Sequence, residues 1–379
     1  MPLKEYNLKL DINKILNNIT NKDNQYTIPI FIPHLGCNNE CVFCNQRKIT
    51  GIDTSVTVDD VDNIINEHLD YFKNNKNNKK IEIAFFGGSF TGIPTRLQEN
   101  YLKIANNYIE EGKVDSIRLS TRPDYISPKI LSLLKKYNVK TIELGVQSAN
   151  DYILAKCQRG HTFEDVKKAS KLIRLYGFTL GHQMMIGLPE STKLDEINTA
   201  KALIKLKPKI VRIYPVLVIK NTPLAKEYEQ GEYIPLTVEQ AVDRAKDIMQ
   251  LFNNAKIEVI RIGLQNTEEI TDPSEESSQV IAGPYHPAFR QLVESGMWYD
   301  EIVQKIKKFN IKVMQVTIKA NPENINNIIG HKKENVLKLK EFYDVDVVVK
   351  PDENIKKGKF EIEIDKTYED ILEELKAKK

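Results

Sequence analysis

The sequence of 379 residues has few cysteines, no dominant charge and no long apolar run. Four cysteines without paired framework spacing exclude a disulfide-stabilised secreted domain and favour metal binding. The 55 basic and 52 acidic residues nearly balance, as in ordinary soluble intracellular proteins. The start lacks the apolar segment of a signal peptide, and no run approaches the ~20 residues that span a bilayer. These absences predict a cytoplasmic protein with no membrane partner.

Three of the four cysteines are clustered. Cys37, Cys41 and Cys44 form a C-x-x-x-C-x-x-C pattern after an apolar stretch from Thr27 to His34. Three thiolates this close can each bind one iron of a four-iron cubane and leave the fourth iron free to bind a reactive molecule. S-adenosylmethionine is a candidate for that molecule. Phe43 fits the same pattern, because the segment around it can pack against an adenine ring.

Two other interpretations of these cysteines stay open. A zinc ion could bind the three cysteines with His34 as the fourth ligand, since Cys3His is an ordinary tetrahedral set. Structural zinc sites usually pair two C-x-x-C knuckles, however, and no second knuckle follows. Inert buried thiols would be unusual packing for an Asn-rich loop.

Short β-type runs alternate with amphipathic helical stretches along most of the chain. The predicted strands are Ile28 to Pro33, Ile81 to Phe86, Ser116 to Thr121, Thr141 to Val146, Thr179 to Ile186, Ile210 to Tyr214 and Ile257 to Ile262. The predicted helices are Asp59 to Phe72, Leu97 to Glu110, Pro128 to Lys136, Thr162 to Leu175, Leu194 to Leu206 and Val238 to Phe252. Repeated strand–helix–strand units predict a parallel sheet in an open or closed (β/α) barrel. The cysteines would then follow the carboxyl end of the first strand, where barrel enzymes place their chemistry.

Polar or glycine motifs follow the other predicted strands at the same level. Gly87 and Gly88 come after the second strand, and two glycines let backbone approach a ligand closely. Arg159 precedes a helix and could pair with a carboxylate. The ends of the third to fifth strands carry Ser120, Gln147 and Gln183. Each motif alone could be a turn or a satisfied core group, but several at one end of one barrel favour a binding site.

Several longer motifs resemble a known family. They are Thr121 to Tyr125 (TRPDY), Glu143 to Ser148 (ELGVQS), Arg159 to Thr162 (RGHT), Ile213 to Ile219 (IYPVLVI), Asn221 to Leu224 (NTPL) and Gly231 to Pro235 (GEYIP). Together, over about residues 27 to 265, they look like the radical domain of the Elongator catalytic subunit, a tRNA wobble-uridine modifying enzyme. The cysteine pattern resembles the signature of the wider radical S-adenosylmethionine (radical SAM) superfamily. The oxygen-independent coproporphyrinogen oxidases are a looser resemblance.

The resemblance implies an α/β fold with a partial (β/α)6-type radical SAM barrel, a [4Fe–4S] cluster and S-adenosylmethionine. Position by position, it places Cys37, Cys41 and Cys44 on the cluster, Gly87 and Gly88 on the methionine amino group, Ser120, Gln147 and Gln183 near the ribose, and Arg159 on the methionine carboxylate. It also implies a low-potential electron donor such as flavodoxin or ferredoxin. No catalytic residue is assigned.

The sequence departs from the Elongator pattern in three ways. The insert between its first two cluster cysteines is longer than the three residues found here. Its Glu before Thr-Arg-Pro-Asp is Ser120 here, which puts a carboxylate contact to the nucleoside in doubt. Its acetyltransferase-like domain has no counterpart in this sequence, so carboxymethylation from acetyl-CoA does not carry over.

The last region resembles a small α+β KH module. Its predicted elements are a strand Lys312 to Ile318, helices from Glu323 to Ile329 and Glu334 to Phe342, and strands Val345 to Val349 and Lys359 to Ile364. The position of the G-x-x-G loop, which clamps a nucleic-acid backbone in KH modules, is occupied by Gly330, His331, Lys332 and Lys333. Lys333 replaces the second glycine, so a structural relic that binds no RNA stays an alternative.

The charge distribution of this region favours RNA binding. Ile302 to Lys340 holds nine Lys and two acidic residues, whereas Glu341 to Lys379 holds eight Lys and twelve acidic residues. A basic surface beside the proposed clamp is the expected footprint of phosphate binding, although Lys-rich surfaces are also common as solvated faces.

We therefore expect four regions: an N-terminal extension (1–26), a radical SAM barrel (27–282), a bridging segment (283–308) and a KH-like RNA-binding domain (309–379). The predicted function is a radical SAM enzyme that generates a 5′-deoxyadenosyl radical and modifies RNA, in particular tRNA. Sulfur insertion would need a second cluster, and only Cys157, interpreted as a packed thiol, remains. The alternatives are the same chemistry on a small molecule such as a porphyrinogen-type metabolite, and a zinc-containing RNA-binding protein.

Overall fold

The structure is a computed structural model that describes residues 25–32, 36–37, 41–45, 56–73, 80–264, 270–309 and 311–377. The chain divides between Pro287 and Ala288 into a larger and a smaller compact unit. Within the described residues, no helix combines the length and the apolar character that a membrane crossing requires.

The larger unit is built on a parallel sheet of seven strands. In sheet order these are β1 (Gln25–Ile32), β2 (Lys80–Gly87), β3 (Ser116–Thr121), β4 (Val139–Gln147), β5 (Thr179–Ile186), β6 (Ile210–Pro215) and β8 (Glu258–Ile262). Every neighbouring pair is parallel. In the described part of the chain β1 and β8 are the sheet edges and do not pair, so the barrel is partial. The prediction of an α/β partial barrel is confirmed, and β8 corresponds to the seventh predicted strand, Ile257 to Ile262.

Helices connect these strands in the order expected for a parallel sheet. They are α1 (Val58–Lys73), α2 (Thr95–Glu110), α3 (Pro128–Lys136), α4 (Asp151–Lys156), α5 (Phe163–Leu175), α6 (Lys193–Lys205), α7 (Pro223–Glu229) and α8 (Val238–Asn254). Three of them begin at a threonine whose side chain closes a capping box, Thr162, Thr192 and Thr237. A short antiparallel pair, β7 (Val218–Ile219) with β9 (Val280–Ala282), forms a separate sheet that the sequence analysis did not predict.

The two faces of the parallel sheet differ in character. One face packs on the helices: Ile83 and Phe85 of β2 are buried, and the Phe85 ring stacks with Tyr101 of α2. On β5 this face carries His182, which hydrogen-bonds Ser170 of α5 at 2.9 Å. Burial lowers the pKa of His182 to about 3, so its ring is neutral. Because side chains alternate along a strand, the intervening residues face the inside of the partial barrel.

The smaller unit is an α+β domain. It contains α9 (Phe289–Ile306), β10 (Val313–Ala320), α10 (Ile325–Ile329), α11 (Glu334–Tyr343), β11 (Asp346–Pro351), β12 (Phe360–Thr367) and α12 (Tyr368–Ala377). Its sheet has the order β11-β10-β12, with β11 parallel and β12 antiparallel to β10. The small α+β domain of the predicted fold is confirmed.

The boundary of this unit differs from the one expected from sequence. Helix α9 lies in the stretch interpreted as a bridging segment, yet it contributes Trp298, Ile302 and Ile306 to the apolar core of the unit. The amphipathic pattern of α9 supplies a full apolar face, which is buried against the sheet and helices of the same unit.

Candidate active site

The cysteine loop meets the turn that follows β2. Gly36 has φ +83°, and a Cβ there would lie 2.3 Å from the Ser89 carbonyl oxygen, so the close approach requires glycine. The next residue, Cys37, has its Sγ 3.3 Å from the Ser89 Oγ, a hydrogen-bonding distance for sulfur. Ser89 was not predicted as a site residue, although it follows Gly87 and Gly88 directly.

Arg159 connects the second cysteine to the end of β4. Its Nη1 donates to the Cys41 Sγ at 2.9 Å and its Nη2 donates to the Gly145 carbonyl oxygen at 2.8 Å. A Cβ on Gly145 would lie 3.3 Å from Arg159 Nη2 and 3.2 Å from Gln147 Nε2, which is tighter than most real contacts. Glycine at position 145 therefore leaves room for both polar side chains. Arg159 is buried, so these charge-assisted contacts are shielded from water.

Backbone hydrogen bonds hold Val42, between the second and third cysteines, to two neighbouring segments. The Val42 N–H donates to the Cys157 carbonyl at 3.2 Å, and the Leu224 N–H donates to the Val42 carbonyl at 2.9 Å. Phe43 is buried in an apolar cluster that also contains Cys157 and Met185. Burial raises the pKa of the Cys157 thiol to about 12, so this cysteine stays protonated.

The two glycines after β2 have backbone geometry that side chains would disturb. Gly87 has φ +102°, and a Cβ there would lie 2.7 Å from the Ile32 carbonyl oxygen at the end of β1. The Gly88 N–H donates to the same oxygen at 2.8 Å. This turn and the end of β1 are consequently in direct contact beside the cysteine loop.

The glutamines predicted at the ends of β4 and β5 lie together. The Gln183 Nε2 donates to the Gln147 Oε1 at 3.3 Å. Gln147 has φ +69°, and the β4–β5 register shifts between Gly145 and Gln147. A left-handed conformation in a residue other than glycine is strained and is common at functional sites. Ser120 lies on the neighbouring strand β3 in register with Glu143, on the same inner face.

His161, to which no catalytic role was assigned, lies close to this group. Burial and the positive charge of Arg159 lower the pKa of His161 to about 4. The ring is therefore neutral at physiological pH.

The inner face of the sheet carries a layer of charged residues that was not predicted from the sequence. Each one stands between two apolar residues at the centre of a strand, as in Ile-Glu-Ile, Ile-Arg-Leu, Ile-Glu-Leu, Val-Arg-Ile and Ile-Arg-Ile. The five residues are Glu82, Arg118, Glu143, Arg212 and Arg261. Parallel strands covered on both faces are usually continuously apolar, so these central charges were a readable signal.

The chemistry of the donor set fits an iron–sulfur cluster, because cysteine thiolates are the ligands that hold such clusters and three of them lie within eight residues. Among the described residues, no three His, Cys, Asp or Glu side chains form a group that could hold a single metal ion. His34, the fourth ligand of the zinc alternative, lies outside the described residues.

The loop predicted to contact RNA joins α10 to α11 in the smaller unit. Gly330, Lys332 and Lys333 have φ +82°, +48° and +65°, so the lysine that replaces the second KH glycine adopts a left-handed conformation. The Asn335 Nδ2 fixes the loop by donating to the carbonyls of Ser295 at 2.9 Å and Ile328 at 3.1 Å. Lys332 and Lys333 are exposed.

Comparison with known families agrees with this geometry. Residues 31–203 match the Radical SAM superfamily, and residues 208–299 match the Radical_SAM C-terminal domain. The chain therefore belongs to the radical SAM superfamily.

Individual relatives resemble the chain over part of their length. The tRNA uridine(34) acetyltransferase of Methanocaldococcus jannaschii is 32% identical over 193 residues, which cover 45% of this chain and 36% of that protein. An uncharacterised protein of the same organism is 30% identical over 239 residues, covering 60% of this chain and 72% of that protein. The structure of Elp3 from Methanocaldococcus infernus superposes with a TM-score of 0.55 at 23% identity, covering 74% of this chain and 63% of that one. The resemblance to the Elongator radical domain is confirmed, over about a third of the acetyltransferase's length.

Proposed function

We propose that this chain is an enzyme that uses a [4Fe–4S] cluster and S-adenosylmethionine to carry out radical chemistry on tRNA. The buried contact of Arg159 with Cys41 and Gly145 carries the proposal. It joins a cysteine of the superfamily signature to the strand end at which the cosubstrate is expected, through a side chain suited to carboxylates.

Each predicted residue has a role in this proposal. Cys37, Cys41 and Cys44 hold the cluster. The bound cluster and S-adenosylmethionine would supply one-electron reductive cleavage that yields a 5′-deoxyadenosyl radical. Arg159 is assigned to the methionine carboxylate, because a guanidinium group recognises a carboxylate through paired charge-assisted hydrogen bonds. The amino group, the ribose and the adenine are assigned to Gly87 and Gly88, to Ser120, Gln147 and Gln183, and to the segment around Phe43.

Two observations support tRNA as the substrate. First, the relatives include the tRNA uridine(34) acetyltransferase. The matched region is only 36% of that protein, and acetyl transfer is therefore not part of the proposal. The smaller unit places two helices between the adjacent parallel strands β10 and β11, with the loop from Gly330 to Lys333 between those helices. We infer a KH-like RNA-binding module whose exposed Lys332 and Lys333 contact phosphates, while Gly330 and His331 complete the loop.

The cellular setting follows from the same chemistry. A low-potential donor such as flavodoxin or ferredoxin would supply the electron for a bound cluster, and a tRNA substrate supports a cytoplasmic location.

The cofactor assignment is tested with anaerobically reconstituted protein. We expect about four irons per chain and cleavage of S-adenosylmethionine to 5′-deoxyadenosine and methionine. Cys41→Ala should lose both, whereas Cys157→Ala should retain the iron because that thiol is not a ligand. Stoichiometric zinc without iron would support the zinc-containing RNA-binding alternative instead.

The RNA assignment is tested by tRNA gel-shift titrations at two salt concentrations. Changing Lys332 and Lys333 together to Glu should weaken binding, and each lost phosphate contact should make the log–log salt slope shallower by about 0.7 to 0.9. The matched control changes the exposed Lys356 and Lys359 of the same unit to Glu, with the same change of charge in a different loop. Equal weakening in both double variants would show general electrostatic attraction. No tRNA binding by the intact protein would favour a small-molecule substrate.

A further inference from the structure

The RGHT motif contains a buried side chain to which the proposed function gives no role, His161. Only 6% of its surface is exposed. Neither ring nitrogen has a hydrogen-bond partner among the residues that the structure describes. A buried polar group without a partner costs free energy, and most buried polar groups in folded proteins have one. The ring of His161 therefore calls for an explanation.

Another buried histidine of the larger unit shows the usual arrangement. His182, on the helical face of the sheet, hydrogen-bonds the Ser170 hydroxyl at 2.9 Å through one ring nitrogen. A neutral imidazole has one N–H donor and one acceptor nitrogen, so a single partner satisfies half of the ring. Within the described part of the chain, His161 makes not even one such contact. Its burial is not explained by a hydrogen bond that stabilises the fold.

The backbone on both sides of His161 is fixed. The Arg159 N–H donates to the Leu154 carbonyl at 2.9 Å. On the other side, Thr162 begins helix α5 and closes its capping box. Gly160, between these two fixed points, has φ +68°, a left-handed conformation that glycine adopts readily. The position of His161 is therefore set by the fold.

Two guanidinium groups and one carboxylate act on the ring. Burial, followed by the positive charges of Arg159 and Arg122, lowers the pKa of His161 to about 4, although Asp124 and the Val146 carbonyl oppose this. Arg122 is itself buried and holds the Asp124 carboxylate through two N–H groups at 3.0 and 2.9 Å. The ring of His161 is thus neutral and carries one N–H group. An acceptor that binds this N–H beside two guanidinium groups is favoured when it is negatively charged.

His161 lies at the strand end where the cosubstrate is expected. Val146, whose carbonyl acts on the ring, stands in β4 between Gly145 and Gln147. The Gly145 carbonyl accepts from Arg159, and Gln147 is assigned to the ribose. The methionine carboxylate is the anionic acceptor that the proposed function brings to this strand end.

We propose that His161 is a further binding residue for S-adenosylmethionine, whose ring N–H donates to the carboxylate that Arg159 binds. This inference rests on the proposed function, but only on its cofactor part and not on tRNA as the substrate. The N–H gains a partner when the cosubstrate binds, so His161 adds to affinity without adding to the stability of the free protein. A histidine that serves only the fold would have the opposite effects.

The first arm of the test is equilibrium dialysis of S-adenosylmethionine with the anaerobically reconstituted full chain. His161→Leu should raise the Kd about tenfold or more, the effect of losing one hydrogen bond to a charged group, at unchanged iron content. His161→Asn and His161→Gln return a side-chain N–H near the position of Nδ1 or Nε2, and one of them should restore most of the affinity. His182→Leu is the matched control and should leave the Kd unchanged, because its ring lies on the helical face.

The second arm measures the thermal unfolding midpoint of the same proteins without cosubstrate. Removing a buried polar group that has no partner should leave the midpoint of His161→Leu unchanged or raise it. His182→Leu should lower the midpoint, because Ser170 loses its partner. A lowered midpoint for His161→Leu together with an unchanged Kd would show a purely structural histidine and overturn the inference.

The remaining outcomes separate this inference from the proposed function. If the wild type takes up iron and binds the cosubstrate but His161→Leu binds it equally well, only the assignment of His161 fails. A wild type that binds no S-adenosylmethionine would refute both. A shift in the reduction potential of the cluster without cosubstrate, at unchanged Kd, would show that the ring donates to the cluster and that the assignment is wrong. Should His161→Leu not fold, equal affinities of His161→Asn and His161→Gln would count against it, because only one of them returns the donor.

Discussion

The sharpest structural prediction concerns Glu143, the carboxylate at the centre of a charge network with Arg118 and Arg212 on the inner face of the sheet. Glu143→Gln keeps the shape of the side chain and removes its charge. Glu143 accepts hydrogen bonds from two arginines at 2.6, 2.5 and 3.2 Å and is almost fully buried. Removing one partner of a buried ion pair costs about 3 to 5 kcal/mol, because the other charge is left uncompensated. Since domains are stable by about 5 to 15 kcal/mol, the free energy of unfolding should fall by a large fraction.

The dependence on pH gives a second measure of the same effect. Burial tends to raise the pKa of Glu143, but the positive charges of Arg212 and Arg118 outweigh burial and hold this pKa below its ordinary value. An acid with a lowered pKa in the folded state stabilises the protein above its unfolded pKa, and this contribution is lost as pH falls through the folded pKa. The difference in stability between the wild type and Glu143→Gln should therefore be constant near neutrality and should narrow in acid.

The assay is urea unfolding followed by far-UV circular dichroism, since the single tryptophan, Trp298, lies in the smaller unit. Asp243→Asn is the control: Asp243 pairs with Lys193 at 2.6 Å but is 56% exposed, so its loss should cost less than about 1 kcal/mol. A cost for Glu143→Gln as small as that of the control would refute the argument that the network is a tightly coupled buried ion cluster.

Three further predictions follow from particular contacts. Arg159→Lys should weaken S-adenosylmethionine binding by about 1.5 to 3 kcal/mol, measured by equilibrium dialysis. A lysine ammonium group cannot contact Cys41 and a carboxylate at the same time with the geometry of a guanidinium group. An unchanged Kd would contradict the assignment of Arg159 to the methionine carboxylate. Lys333→Gly should raise the free energy of unfolding by up to about 1 kcal/mol: a left-handed φ of +65° costs a residue other than glycine about 1 to 2 kcal/mol, and the added freedom of glycine in the unfolded chain offsets about 0.4 to 1 kcal/mol of that gain. The same change should weaken tRNA binding, and a clear loss of stability would show that the lysine is not strained. Burial raises the pKa of Glu301 to about 7, although Lys305 and Lys308 oppose it. The folded state then holds an extra proton, so wild-type stability should fall as pH rises from about 4.5 to 7, and urea midpoints at pH 5 and pH 8 should show a smaller fall in Glu301→Gln.

Much of the fold could be predicted because its signals are local. Each β run of the barrel alternates with a helical stretch, and the seven predicted strands correspond to the seven strands of the parallel sheet. The short pair β7 and β9 was missed because it has only two and three residues, too few for a periodic pattern. The segment of helix α9 was predicted only as a bridge. Its apolar residues are buried by other elements of the smaller unit, and the sequence of the helix does not show which elements those are.

The candidate site also has a part that could be predicted from the sequence and a part that could not. The spacing of Cys37, Cys41 and Cys44 is a property of eight consecutive residues, so the sequence by itself determined the cysteine motif and, through it, the superfamily. The contact of Arg159 with Cys41 joins residues separated by 118 positions, and no local pattern specifies it.

The inner face shows most clearly what tertiary structure adds. The sequence contained Glu143, Gly181 and Arg212 in three separate strands, each with an ordinary alternating pattern. Only the parallel register sets Gly181 opposite Glu143 and thereby lets a carboxylate on β4 reach an arginine on β6. A one-residue shift would turn these side chains to the helical face, where a charge has no partner. The sequence determined which chemical groups the barrel carries, and the pairing of its strands decided which of them meet.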